Sequence, residues 1–157
     1  MNPAGTILDI PAFYAHALAI ESEAVRRYRE FEAYFNGRAE EVLASLCRNL
    51  AQHEEEHLGQ LMSESRGMEL PRLETAAHGW LSRAAGPAGD FYRVVSPKQL
   101  LNIALASECE SLGFFEWVAR TTPDEGVRRL AEEMARDEMD HVRWVRDAIE
   151  YHGDAVV

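Results

Sequence analysis

Ala51-Gln52-His53-Glu54-Glu55-Glu56-His57 and Ala135-Arg136-Asp137-Glu138-Met139-Asp140-His141 carry the same pattern: a glutamate, then a histidine three residues on. Each is preceded, one predicted helix earlier, by a glutamate in a second shared frame. Ala17-Leu18-Ala19-Ile20-Glu21-Ser22-Glu23-Ala24 reads against Ala104-Leu105-Ala106-Ser107-Glu108-Cys109-Glu110-Ser111. The chain is thus a repeat of two halves, each offering two carboxylates and one imidazole.

Outward from these motifs, the apolar residues recur at alternating intervals of three and four, the mark of a helix face buried in a bundle. In the first segment the buried stripe reads Ala17, Glu21, Ala24, Tyr28, Phe31, Phe35, and in the second Leu43, Cys47, Leu50, Glu54, His57, Leu61. The third reads Leu101, Ala104, Glu108, Ser111, Phe115, Val118, and the fourth Val127, Leu130, Met134, Glu138, His141, Val145, Ala148. Helices are expected at about 11–36, 38–66, 97–121 and 123–151. Asn36-Gly37 and Gly67 serve as stops. Ser96-Pro97-Lys98-Gln99 reads as a capping box with proline at the first helical position, and Thr122-Pro123-Asp124-Glu125 as the same device. Tight turns join the first pair and the last pair. The link from Gly67 to Ser96, roughly 30 residues, is long enough to cross the bundle, with an extra short helix expected at about 73–85. The predicted fold is all-α: a four-helix bundle with a long crossover between helices 2 and 3, in a single domain spanning 1–157. No further helix is expected after 151.

Each stripe is apolar except at mid-height, where the glutamates and histidines fall. An ionised group in a bundle core costs several kcal/mol unless it is paired or bound to a cation. Six of them at matched depth call for cations, whereas a plain bundle would turn its glutamates to water. A glutamate from each of two helices, with Glu-x-x-His from each of the other two, is a dinuclear carboxylate ligand set. The expected ligands are Glu21, Glu54, His57, Glu108, Glu138 and His141, with Glu54 and Glu138 bridging. Mixed carboxylate and imidazole donors suit iron, and manganese accepts the same set.

Composition narrows the function. Of the chain, 46% is hydrophobic and 27% charged, with a formal net charge of −11. That acidity argues against nucleic acid, which needs a basic face. No apolar run is long enough for a membrane span. The N-terminus lacks the basic region of a secretory signal, so the cytoplasm is the expected compartment. Cys47 and Cys109 stand far apart with no C-x-x-C, which excludes a disulfide framework and a cysteine-ligated metal site. Cys47 is read as a small core residue and Cys109 as turned away from the site.

Around the ligands, Tyr28 could hydrogen-bond a carboxylate or relay an electron, with a core tyrosine as the plain alternative. Asp137 could receive the second ring N–H of a ligand histidine, or lie on the surface. His53 holds the matching place in the second helix and could likewise support a ligand histidine, though solvent is its expected setting, as it is for Glu23 and Glu110. His16, His78 and His152 show no partner pattern, and Trp80, Trp117 and Trp144 read as packing or interface residues.

Glu21-Ser22-Glu23-Ala24-Val25-Arg26-Arg27-Tyr28, Glu54-Glu55-Glu56-His57, Glu108-Cys109-Glu110-Ser111 and Glu138-Met139-Asp140-His141 resemble the corresponding segments of the ferritin-like superfamily, and of rubrerythrin-like proteins within it. The resemblance covers roughly residues 11–151. It implies a non-haem centre of two iron ions that reacts with hydrogen peroxide or dioxygen, and a homodimer. Two departures matter. The paired C-x-x-C motifs of a rubredoxin domain are missing, so electrons would come from a separate donor such as a rubredoxin-like protein. The extra glutamate one turn after the third-helix ligand is replaced by Ser111, which is closer to a bacterioferritin-like set. The expected activity is therefore a di-iron peroxidase or oxidase. A ferroxidase or iron-handling role and a non-catalytic bundle with structural metal are the alternatives. The small residues of the stripes define no pocket for an organic substrate.

Overall fold

The computed structural model of the chain describes residues 7–73 and 88–152. Five helices follow in order: α1 (Ile10–Gly37), α2 (Glu41–Glu64), α3 (Ala88–Val94), α4 (Pro97–Thr121) and α5 (Glu125–His152). The architecture is the all-α bundle expected from the periodicity, and every stripe residue named above is buried.

Helices α1 and α2 pack along their length as one antiparallel hairpin and α4 and α5 as another; weaker contacts join α1 to α4 and α2 to α5. The core these hairpins enclose is in two parts. One cluster gathers Tyr28, Phe31, Phe35, Leu43, Leu50, Leu100, Ala104 and Val145. The other gathers Phe13, Ile20, Leu61, Phe115, Val118, Leu130 and Met134. The six candidate ligands fall between them in sequence on all four helices, so a polar layer separates two apolar ones. After α2 the chain packs Met68 and Leu70 on the second cluster. It returns at α3 with Phe91 and Val95 in the first. The link therefore connects opposite ends of the bundle, as its length implied.

Helix α3 was not anticipated, because seven residues give too little periodicity. It is tied to α1 by Tyr92 donating to Glu30 (2.6 Å) and by Tyr34 donating to the Val95 carbonyl (2.8 Å). The short helix expected at about 73–85 lies outside the described residues save Leu73, which is not helical.

The helix ends show where local chemistry overrode the reading. Asp9 caps α1, its Oδ1 accepting from the Ala12 amide, with Pro11 in the first turn. The Ser96–Gln99 capping box of α4 forms as expected. For α5 the expected Thr122 cap is wrong: Asp124 accepts from the Val127 amide at 2.8 Å, while Thr122 holds the Asp124 amide at 3.2 Å. Pro123 thus precedes the helix rather than opening it. Helix α2 is shorter at both ends than expected. Gly67, at φ +81°, forms the turn beyond it.

Gly37 is not the left-handed residue after α1; that conformation falls on Ala39, at φ 57°. An L-residue with a Cβ is strained there, by about 1–2 kcal/mol. Ala39→Gly is expected to stabilise the protein by about 0.5–1 kcal/mol, since glycine's greater unfolded-state freedom offsets part of the relief. Thermal melts would check this, and a lower midpoint in the variant would refute it.

Candidate metal centre

Helix periodicity delivers one ligand group per turn to the bundle axis. Glu54 and His57 lie one turn apart on α2, as do Glu138 and His141 on α5, and Glu21 and Glu108 enter from α1 and α4 at the same height. All six are buried, from 0% exposure for Glu21 and His141 to 7% for His57.

The donors fall into two overlapping groups. Glu21, Glu54, His57 and Glu138 present one ligand atom each within 4.8 Å of one another, and so do Glu54, Glu108, Glu138 and His141. Glu54 and Glu138 belong to both. In the first group, His57 Nδ1 lies 3.5 Å from Glu21 Oε1, 3.5 Å from Glu54 Oε2 and 3.8 Å from Glu138 Oε1. In the second, His141 Nδ1 lies 2.9 Å from Glu54 Oε1, 3.5 Å from Glu108 Oε2 and 3.8 Å from Glu138 Oε2. Atoms each ~2.1 Å from one ion stand roughly 3.0–3.5 Å apart, so the spacing suits shared coordination.

These close approaches are not hydrogen bonds. Both oxygens of Glu21 and of Glu54, Glu138 Oε1, Glu108 Oε2 and both Nδ1 atoms are buried with no hydrogen-bond partner among the described residues. Buried polar atoms are rarely left so. Here the unpaired atoms converge on common points, the arrangement of donors aimed at a cation. The buried glutamate and histidine groups could therefore hold a metal ion.

The electrostatics of the bare cluster agree. Burial, then the neighbouring carboxylates led by Glu54, push Glu21 and Glu138 well above the ordinary carboxylate range. Burial also acts on Glu54, but the close polar approaches of Glu21, His141 and His57 hold it below that range. Burial opposes the charge of His57, yet Glu54 and Asp137 carry it up to about 9. His141 is likewise driven up against its burial by Glu108, Glu138 and Glu54. Protons thus sit where cations would.

Tyr28 is wholly buried and donates to Glu108 Oε1 at 2.5 Å. Burial and that carboxylate raise its hydroxyl well above the usual value, so it remains a donor. Asp137 does accept from a ligand histidine, as foreseen, but the ring is His57 on the facing helix: Oδ2 to Nε2 is 2.9 Å. Ser111 turns its hydroxyl back to the Ser107 carbonyl at 3.1 Å and offers nothing to the cluster.

Two expectations were wrong. His53 is not in solvent: it is half-buried, with its ring edge-on to His141 at 5.4 Å. Glu23 is likewise half-buried, paired with Arg26 at 2.6 Å and Arg27 at 2.9 Å. Trp144, read as a packing or interface residue, does pack on the first apolar cluster, and its ring also lies 5.4 Å from that of His141 and 5.2 Å from that of His53. The available signal was spacing, since Trp144 follows His141 by three residues and so sits one turn above it. Glu110 and Cys109 are exposed and Cys47 is buried, as expected. His16 lies against Phe114 in the second apolar cluster, and His152 against Tyr151. Trp117 packs on Phe114, while His78 and Trp80 fall outside the described residues. No helix among the described residues is long and apolar enough to cross a membrane.

No family model matches the chain, and no curated protein matches it. Among solved structures, the chain is similar to an uncharacterised conserved protein from Magnetospirillum magnetotacticum MS-1. The two are 28% identical, with a TM-score of 0.80 over 92% of this chain and 95% of the other. The likeness supports the helical architecture over nearly the whole length and carries no activity with it.

Proposed function

We propose that the protein is a rubrerythrin-like, non-haem di-iron oxidoreductase that reduces hydrogen peroxide or dioxygen with electrons from a separate donor. The observation that carries this reading is the sharing of Glu54 and Glu138 between two four-residue ligand groups. A cluster for one ion needs no shared carboxylates; a cluster for two adjacent ions does. Four carboxylates also offset the charge of two divalent cations, leaving a near-neutral site in an apolar interior.

Iron bound there would supply two reducing equivalents and a Lewis-acidic surface for an O–O group. The chain supplies the rest. Glu21 and His57 would hold one ion and Glu108 and His141 the other, with Glu54 and Glu138 available to both. The Tyr28 hydroxyl holds Glu108 in place and keeps a proton within reach of that carboxylate. Asp137 fixes the His57 ring so that Nδ1 faces the cluster. The apolar clusters on either side keep bulk water from the reduced centre. With Cys47 buried and Cys109 exposed and far from it in sequence, the chain holds no dithiol to deliver electrons, hence the external donor.

Ser111 favours a second reading, in which iron is cargo rather than cofactor, because each position then has one terminal glutamate and one histidine. Stopped-flow oxidation of the reduced, iron-loaded protein separates the two. Rapid oxidation by peroxide with iron retained supports the oxidoreductase; oxygen-driven oxidation with iron released supports iron handling. Inertness to both would leave a structural metal and overturn the proposal.

A further inference from the structure

The two halves of the repeat present the same ligands, but their supports differ. Asp137 and His53 occupy corresponding places, each one residue before its glutamate, in Ala135-Arg136-Asp137-Glu138 and Ala51-Gln52-His53-Glu54. Each faces the ligand histidine of the other half. Asp137 meets His57 with a carboxylate, Oδ2 to Nε2 at 2.9 Å. His53 meets His141 with an aromatic edge, the rings at 89° and 5.4 Å. Trp144 adds a second ring against His141, whose buried Nε2 has no hydrogen-bond partner among the described residues.

A carboxylate on the far nitrogen of a ligand imidazole fixes its tautomer and orientation and raises its basicity as a donor. His57 has that support and His141 does not. The groups lying outside each histidine differ as well, although His141 itself is fully buried and His57 is 7% exposed. His53 and Trp144, the rings that cover His141, also line an open cleft of about 320 Å³ with Leu46, Asn49 and Gln52.

We infer that the two metal positions are unequal: the one completed by Glu21 and His57 binds tightly, and the one completed by Glu108 and His141, backed by the His53 and Trp144 rings in place of a carboxylate, is the weaker, exchangeable position. Asp137 is then a positioning residue acting through His57, and His53 is what makes the other half labile. This rests on the dinuclear reading above and goes beyond it by ranking the positions.

Cobalt(II) titration of the chelator-treated protein, followed by calorimetry and by the visible spectrum, tests the ranking. Stepwise binding alone would not decide it, because the first ion neutralises carboxylates that the second needs. The variants decide. Asp137→Asn is expected to weaken the tighter step by roughly 10–100-fold, the usual effect of losing such a support, and to leave the weaker step within about threefold. His53→Asp, which copies the other half's device, is expected to tighten the weaker step by roughly tenfold. A chelator should strip one ion fast and one slowly from the wild type, and the fast ion should slow in His53→Asp. Equal weakening of both steps by Asp137→Asn, or a weaker step unmoved by His53→Asp, overturns the inference while leaving a dinuclear site standing. If Asp137→Asn fails to fold, the His53→Asp arm decides by itself. Wild-type protein that binds no cobalt overturns the dinuclear reading itself.

Discussion

Glu138→Gln is expected to abolish paired metal binding and yet raise the melting point of the metal-free protein. The carboxylate of Glu138 is wholly buried and pushed well above its ordinary range, first by burial and then by Glu54, Glu108 and Glu21. Burying that carboxyl costs the bare fold, through proton uptake or through an uncompensated charge, and an amide of the same shape removes that cost. Glu54→Gln is expected to abolish the same binding but lower the metal-free melting point. Glu54 is held below its ordinary range through Glu21, His141 and His57, so its loss leaves buried imidazolium groups without their counter-charge. Loss of a support behind a ligand costs roughly 10–100-fold in affinity, and loss of a shared ligand should exceed that. Metal analysis after reconstitution, with thermal melts of the chelated proteins, checks both halves. A variant retaining two coupled ions would end the bridging assignment, and melting shifts of the same sign would end the electrostatic one.

Metal loading itself should have the second large effect, and its pH dependence has a definite sign. Two sites each filled at ~100 times their dissociation constant contribute about 2.7 kcal/mol apiece. For a chain of this size that is a rise of roughly 10–20 °C in melting temperature. In the metal-free protein His57 is pushed up to about 9. Its stabilising contribution is complete below its unfolded value of 6.5 and is lost as pH rises through about 9. Glu21 and Glu138 are also raised, so their contribution too is lost as pH rises through their folded values. Glu54 acts oppositely, but at acid pH. From pH 6.5 to 8.5 the metal-free protein should therefore lose stability, while cations compete with fewer protons and bind more tightly. The gap between loaded and chelated protein should widen over that interval. Paired melts with and without manganese(II) would check it, and a narrowing gap would contradict the charge assignments.

The buried cluster of four glutamates and two histidines was legible in the sequence because two independent periodicities coincide there. The interval of three between Glu54 and His57, and between Glu138 and His141, matches one helical turn. The phase of each apolar stripe places all six groups on the buried face. What was not legible followed from angles and local competition. His53 and Trp144 lie beside the stripe rather than in it, where a small rotation of the helix decides between solvent and a neighbouring ring. The turn after α1 carried a strong Asn36-Gly37 signal, yet the left-handed residue is Ala39; geometry at the start of α2 outweighed the preference of the residue type. Thr122 and Asp124 are both competent caps two residues apart, and sequence does not rank them. Helix α3 is held by Tyr34 and Tyr92 on other elements' atoms, contacts that no local pattern announces.

Each ligand group draws three donors from one hairpin and a single carboxylate from the other: Glu138 completes the first set and Glu54 the second. Neither hairpin is a finished chelator. During synthesis the α1–α2 half emerges with only three of the four donors of its group, so any metal the cluster takes could be fully held only after the α4–α5 half has docked. Closure of the bundle and completion of the cluster are thus a single event in the life of the chain.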